Sequence, residues 1–349
     1  MMHNVLITGG SGYLGGTLLA RLPAANLSLN IFALVRNDSQ AEAVKQYRAT
    51  PITFDISDAS AVRDAVVNNR ITVVYYLVDA INSDAQVSFI KALAEVEEAT
   101  GQDVHFLHTT GAKMFSSHTG MPNDRPLLDT DPSLYDLAKS RLGSIKPLVL
   151  NQAVKTNCTV IDEGDKYGVR TYILVPCIVY GKGEGFGNTI SIQTVDIVKA
   201  AKAVGKVHKV DDGSPSWPVC HVIDNTNLYI NLLRNILSGS GPGYGKNGYY
   251  LASSGSVVWN DLYSAMAVGL AKRNVIQDST VSTRADAVTI EKMAVALGVP
   301  PEFVPVQVGG NCTFTAENGK KLGWKPQFES GHILEAADEE VEWILKHRK

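Results

Sequence analysis

Tyr135 and Lys139 stand four residues apart in "SLYDLAKSRLG", residues 133–143. Helix formers surround them (Leu137, Ala138, Arg141, Leu142), and on a helix positions i and i+4 share a face. A free phenol titrates near about 10 and is a poor acid or base at neutral pH. A neighbouring ammonium favours the phenolate and lowers that value. A Tyr–Lys pair is therefore one way to build a proton donor and acceptor that works near neutrality. The same spacing also describes a surface Tyr packed over a Lys stem, so the rest of the chain must decide.

A second chemical signal opens the sequence. "VLITGGSGYLGG" is an apolar run, then Gly9, Gly10, Gly12 and Gly15, then a helical pattern. Glycine permits positive φ and a close backbone approach. A helix N-terminus offers unpaired N–H groups and a dipole that favours a pyrophosphate. At the first strand–helix junction of an alternating chain, this run reads as a dinucleotide site. The second strand, "NIFALVR", ends on Arg36 and Asn37, with Asp38 two residues late. An acidic residue there would take the ribose 2′-OH of NAD, and an Arg suits the 2′-phosphate of NADP. The spacing favours NADP(H), with NAD(H) left open. In "TFDISD", Asp55 sits where a carboxylate could accept from the adenine amino group, while Asp58 is placed as a helix N-cap.

The elements that must position these groups alternate over the first 180 residues. "NVLITG", "NIFALVR", "PITFD", "TVVYYLV", "VHFLHTT" and "RTYILVP" read as strands. "YLGGTLLARL", "ASAVRDAVVNN", "AQVSFIKALAEVEEAT" and a helix starting near Tyr135 lie between them. Near-continuous apolar strands separated by helices predict an α/β fold, a doubly wound parallel Rossmann sheet, over residues 1–181. The segment 143–165 is longer than one helix and a tight turn require, and predicts a helix extension or an inserted loop. After residue 181 the pattern loosens into Gly- and Pro-rich loops such as "GKGEGFGN" and "SGSGPGYGKNG". Residues 182–349 are expected to form mostly a smaller, irregular C-terminal substrate lobe, with 222–250 returning to the sheet domain.

Composition narrows the classes. The 349 residues carry a net charge of −3, which leaves no basic footprint for nucleic acid or membrane surface. Apolar runs are short, and the chain reads as a strand almost from its first residue, without a signal peptide. The four cysteines, at 158, 177, 220 and 312, show no CxxC, and the eight histidines form no metal-ligand spacing. A reduced, cytoplasmic setting without a metal is expected.

Seven motifs in order resemble the extended short-chain dehydrogenase/reductase family, also called the NAD-dependent epimerase/dehydratase superfamily. They are TGGSGYLG, Asp55 after strand three, LHTTGAKMF, YDLAK, VPCIVYG, CHVIDN and ENGKKLGWKP. The resemblance implies a catalytic group of Thr110, Tyr135 and Lys139, with Thr109 as the alternative hydroxyl. In that family the Lys also holds the nicotinamide ribose. It further implies cofactor contacts from Gly9, Gly12, Tyr13, Leu14 and Gly15, then Arg36, Asp55 and Ile56. Val78, Asp79 and Ala80 replace the small turn usual after strand four. Thr109, Pro176 and Ile178 fall beside the expected nicotinamide. Relatives are often dimers through the helices after strands four and five, so a homodimer is admitted.

Three activities compete. Sugar dehydration is disfavoured, because Gly111 and Ala112 stand where family dehydratases carry Asp–Glu. A nucleotide-sugar epimerase would want an Arg before "CHVID"; the chain has Trp217 and Pro218 there. Lys199, Lys202, Lys206 and Lys209 read as a solvated helix face. A silent NADP-binding regulator would not need Thr110, Tyr135 and Lys139 together. The leading expectation is reduction of a carbonyl or imine on a small, mostly apolar molecule, with Tyr180, Phe186 and Trp217 lining its pocket.

Overall fold

The computed structural model describes residues 2–348. Strands β1 (His3–Ile7), β2 (Leu29–Leu34), β3 (Ala49–Ile52), β4 (Val73–Tyr76) and β5 (His105–Thr109) come first in the chain. They are followed by β6 (Leu127–Leu128), β7 (Arg170–Pro176), β8 (Ile178–Tyr180), β9 (His208–Lys209), β10 (Ser216–His221) and β11 (Tyr249–Ala252). Seven of these form one sheet in the order β11-β7-β5-β4-β1-β2-β3. Every pairing in it is parallel, with Val5 opposite both Ile31 and Val73. Val5, Leu6, Ile7, Val73, Val74, Phe106, Leu107, Ile173 and Leu174 are fully buried. Burial on both faces is why these strands read as unbroken apolar runs rather than as alternation.

Helices α1 (Tyr13–Arg21), α2 (Asp38–Lys45), α3 (Ala59–Asn68) and α4 (Asp84–Thr100) make the first crossovers. The helix expected to run on from Tyr135 is two helices, α5 (Leu134–Ser140) and α6 (Leu148–Tyr167). Gly143 at φ +85° and Pro147 at the α6 N-cap separate them. Glycine takes the left-handed turn freely, and Pro cannot continue a helix interior. The long helix is α6. It packs against α4 and leads into β7, so α6 carries the β5-to-β7 crossover and α5 lies outside it. The expected insertion at 143–165 is thus the crossover helix itself.

The rest of the chain contributes α7 (Gln193–Val204), α8 (Val222–Leu237), α9 (Trp259–Lys272) and α10 (Ala287–Leu297). It also holds β12 (Gly255–Val258), β13 (Ser282–Arg284) and β14 (Phe314–Thr315). Strands β12, β10 and β8 form a small mixed sheet; β13 pairs with β9 and β14 with β6. Two buried carboxylates tie the late chain to the sheet. Asp224, in the CHVIDN motif, accepts from the backbone N–H groups of Gln327 (2.9 Å) and Phe328 (3.0 Å). Asp129 accepts from those of Leu251, Glu317 and Asn318. The CHVIDN and ENGKKLGWKP motifs are joined directly by the Trp324 indole N–H, which donates to the Asp224 carbonyl oxygen at 3.0 Å. Among the described residues no helix is long and apolar enough to cross a membrane.

Candidate active site

The strand order reverses between β1 and β4, and open α/β sheets bind ligands in the crevice outside the strand ends at such a point. The turns after these two strands touch there. Gly9 has φ +67°, and a Cβ on it would lie 2.7 Å from the Leu77 carbonyl oxygen. Gly12 N donates to Gly9 O at 2.9 Å, and α1 starts one residue later with no side-chain cap on its first N–H groups. A Cβ at Gly15 would meet the Gly9 carbonyl. The glycines thus let the turn pack on its own backbone and on Leu77, a cradle at the start of α1 whose first N–H groups have no side-chain cap. That cradle fits the pyrophosphate of a dinucleotide.

Two cavities share Gly9, Gly12 and Leu77 and extend the cradle in both directions. The one toward β2 and β3, about 570 Å³, is lined by Ser11, Arg36, Gln40, Asp55, Ile56 and Val78 among others. Arg36 thus borders this cavity, and its backbone N–H donates to the Gln40 side chain at 3.0 Å. Asp55 accepts from Ser57 N–H and Oγ, which hold its carboxyl below the usual range. Asp58 caps α3 by accepting from Ser60 and Ala61. Asp79 and Ala80 line neither cavity. The Asp79 carboxylate is occupied by Ile81 N, Asn82 N and Asn82 Nδ2, a local turn leading into α4.

The second cavity, about 370 Å³, lies toward β5 and β7. Of the residues singled out in the sequence, Tyr13, Leu14, Gly15, Thr109, Thr110, Pro176 and Trp217 line it. Tyr13 is fixed there by its hydroxyl, which donates to Gly181 O at 2.6 Å. The Thr110 hydroxyl is buried and has no protein partner, whereas Thr109 Oγ1 lies 3.5 Å from the Tyr229 hydroxyl. Thr110 is thus the hydroxyl free to meet a ligand. Ile178 is buried in the core instead, because alternation along β8 turns its neighbours Cys177 and Val179 to the cavity. Tyr180 is also core: its hydroxyl meets His332 Nδ1 at 3.0 Å. Phe186 packs near Tyr47, at 6.4 Å between rings, outside the cavity. It is carried there by a loop whose Gly185 lies against Gly16 of α1.

The structure does not bring Tyr135 and Lys139 to either cavity. The Tyr135 hydroxyl donates to Asp162 of α6 and receives Lys139 Nζ at 2.6 Å; Lys139 Nζ also reaches Asp162 at 2.9 Å. Lys246 Nζ lies 4.6 Å from the centre of the Tyr135 ring. Asp162 is 14 residues past Leu148, roughly 21 Å along α6 at 1.5 Å per residue. A crossover helix runs back against its strands, so Asp162 lies toward the end of the sheet opposite the crevice. Burial and then the Asp162 carboxylate push the Tyr135 phenol up, against Lys139. That is the opposite direction to an activated phenol. The level of α6 that meets the crevice end is Thr156, whose hydroxyl donates to the Ile81 carbonyl just past β4; the neighbouring Lys155 is exposed and lines neither cavity.

The structure adds one charged group that the sequence reading missed. Lys113, three residues past Thr110 in the TTGAKMF segment, lines the second cavity. Its Nζ donates to the side-chain oxygen of Gln307. Burial pushes the ammonium down to about 8, partly opposed by Asp196. Met114, Asn188, Ile192 and Gln193 complete this wall. Among the described residues no cluster of His, Cys, Asp and Glu could hold a metal.

Residues 5–142 match the family model described as NAD dependent epimerase/dehydratase family. An Acremonium protein named oxidase ucsJ is 22% identical over 304 residues, covering 81% of this chain and 83% of its own. A Stigmatella aurantiaca 4-hydroxy-2-methyl-3-oxo-4-farnesyl-3,4-dihydroquinoline-1-oxide ketoreductase is 24% identical over 256 residues, 72% of this chain and 68% of its own. The solved Thermotoga maritima UDP-glucose 4-epimerase superposes with a TM-score of 0.63 at 15% identity, over 99% of this chain and 100% of that one. The last similarity is one of fold. Together with the glycine cradle and the parallel sheet, the family-model match identifies residues 5–142 with the NAD-dependent epimerase/dehydratase family, the extended short-chain dehydrogenase/reductase type, whose typical cofactor is NAD(P).

Proposed function

We propose that the protein reduces a carbonyl or imine on a small, mostly apolar molecule with NADP(H). The observation that carries this reading is the 370 Å³ cavity, which opens on the glycine cradle and presents a buried, unpartnered Thr110 hydroxyl. Its walls are Tyr13, Leu14, Met114, Val179, Ile192 and Trp217, a surface suited to an apolar body. Inside it, a hydroxyl at Thr110 orients a substrate oxygen as charge develops there. When bound, the cofactor supplies the hydride. Gly9, Gly12 and the first turn of α1 would hold its pyrophosphate, and Arg36 a 2′-phosphate. A relative at 24% identity is named a ketoreductase, and its name gives a farnesyl-bearing substrate, which supports a carbonyl reduction here.

A silent dinucleotide-binding regulator is the second reading. It is favoured by the position of Tyr135 and Lys139, whose engagement with Asp162 removes the expected proton donor from the cavity. A nucleotide-sugar epimerase would need cations for a diphosphate, and the cavity wall offers Lys113 alone. A homodimer through α4 and α6 and a cytoplasmic setting belong to the leading reading; all four cysteines are unpaired and buried, as a reducing compartment allows. The test is cofactor consumption. NADPH absorbance is followed with panels of aldehydes, ketones and UDP-sugars. Net oxidation with an apolar carbonyl is expected. Tight NADPH binding with no turnover on any panel would favour the regulator. Conversion of a UDP-sugar without net NADPH use would favour the epimerase.

A further inference from the structure

We propose that Lys113 replaces the tyrosine as the proton donor, passing a proton from Nζ to the substrate oxygen. This rests on the reductase reading above. Three geometric facts carry it. No residue of the crossover helix α6 lines either cavity, so that helix supplies no tyrosine to them. Tyr135 and Lys139 are bound to Asp162 elsewhere. Lys113 reaches the same cavity as Thr110, three residues further along the chain.

The surroundings of Lys113 suit an acid rather than a structural ion pair. Its one hydrogen-bond partner among the described residues is an amide oxygen, Gln307, not a carboxylate. An amide holds the ammonium in place without neutralising its field, and it accepts from the neutral amine as well. The titratable and charged groups facing it are few. Asp196 of α7 is the nearest carboxylate by influence and is shared with Lys199 at 3.4 Å. His118, which follows on the chain, is held neutral by burial and bonds to Gly309 O. The thiols are Cys177, which lines the cavity, and Cys312, whose Sγ approaches the Ala112 carbonyl; burial raises both. Desolvation therefore outweighs Asp196, and the ammonium is poised to lose a proton near neutrality.

The step balances. The carbonyl carbon gains the hydride, the oxygen gains the Nζ proton, and an alcohol forms. Lys113 is left as a neutral amine, which water reprotonates after the product leaves. Reduction then requires the charged form, so turnover falls as pH rises through the Lys113 pKa.

Lys113→Met keeps the length and apolar stem and removes the proton. Turnover should fall about 10²- to 10⁴-fold, and the high-pH limb of the wild-type profile should vanish. NADPH affinity, read by fluorescence titration, should survive in the same variant. The second readout is independent of turnover. Lysine side-chain NMR of the cofactor-free protein should show one ammonium titrating well below the others, absent from Lys113→Met. Lys113→Arg should fold, bind NADPH and move the limb beyond the range where the wild type loses activity. A wild type that reduces a carbonyl while Lys113→Met keeps both its rate and its high-pH limb would overturn this proposal alone. A wild type that reduces nothing would overturn the reductase reading, and the NMR titration would still report whether Lys113 is the poised ammonium.

Discussion

The glycine cradle and the Tyr135 cluster are both short motifs of the same family, and the structure treats them differently. The cradle places Gly9, Gly12 and Gly15 at the β1–α1 turn, with Gly9 against Leu77 just past β4. The YxxxK pair keeps its internal geometry, with Lys139 on the Tyr135 hydroxyl, yet stands beside the far end of α6. The difference lies in what each motif constrains. A positive φ and a missing Cβ are demands of the backbone at that place, and other residues fail there. An i, i+4 pair demands only a helix. Which helix crosses over from β5 is decided by Gly143 and Pro147, which interrupt the run and hand the crossover to α6.

The sharpest way to break this comparison is to remove a hydroxyl from the cavity. Thr110→Val preserves shape and takes away the one buried, unpartnered hydroxyl beside the cradle. Loss of a donor of this kind costs about 10²–10³ in kcat. Steady-state kinetics should show that loss with NADPH affinity unchanged. An unaltered kcat would remove Thr110 from the chemistry.

Crowding the cradle comes next. Gly15→Val drives a side chain into the Gly9 carbonyl, and overpacking of this sort costs about 1–3 kcal/mol. Both NADPH and NADH should bind more weakly, by similar factors, because the damage falls on the pyrophosphate. Arg36→Ala separates the two cofactors instead. It removes a charged donor expected at the 2′-phosphate, at about 1–3 kcal/mol, on the order of 5- to 150-fold in Kd. NADPH should weaken by that amount and NADH should hardly change. Calorimetric titrations with both cofactors check each variant, and a native protein that binds NADH more tightly would remove the NADP assignment.

Much of the molecule is legible in the sequence where the signal is local. The parallel sheet follows from apolar runs such as "VLI" and "TVVYY", and the cradle from its glycines. Asp58 could be read as the α3 cap because an N-cap contacts residues two and three ahead. Trp217 was legible as a large ring in an irregular lobe, but Phe186 was not. Its loop passes α1 at a distance set by Gly185 against Gly16, a contact 169 positions apart in the chain. Lys113 was hidden for the same reason. Its burial and its partner come from Asp196 and from Gln307, 194 positions away. Nothing within "TTGAKMF" distinguishes a solvated lysine from a buried one.

The smallest expected effect is the most informative about α5. Lys139 and Asp162 are each about half exposed, at 49% and 44% of their side-chain surface. Exposed ion pairs contribute about 0–1 kcal/mol. Tyr135 itself is buried to 2% exposure, but its ring stays in Tyr135→Phe and only the hydroxyl's bonds to Asp162 and Lys139 are lost. That variant should shift stability by about 1 kcal/mol or less, read from a urea midpoint. Its turnover, cofactor affinity and pH profile should match the wild type. A donor at Tyr135 predicts the reverse, a stable protein that has lost about 10²–10⁴ in rate. The two outcomes differ by orders of magnitude in one assay. A large loss of rate would mean that the α5 pair leaves Asp162 to reach the crevice, and so that the described arrangement of α5 on α6 opens during turnover. Unchanged kinetics would leave Lys113 and Thr110 as the polar groups that the cavity presents to its substrate.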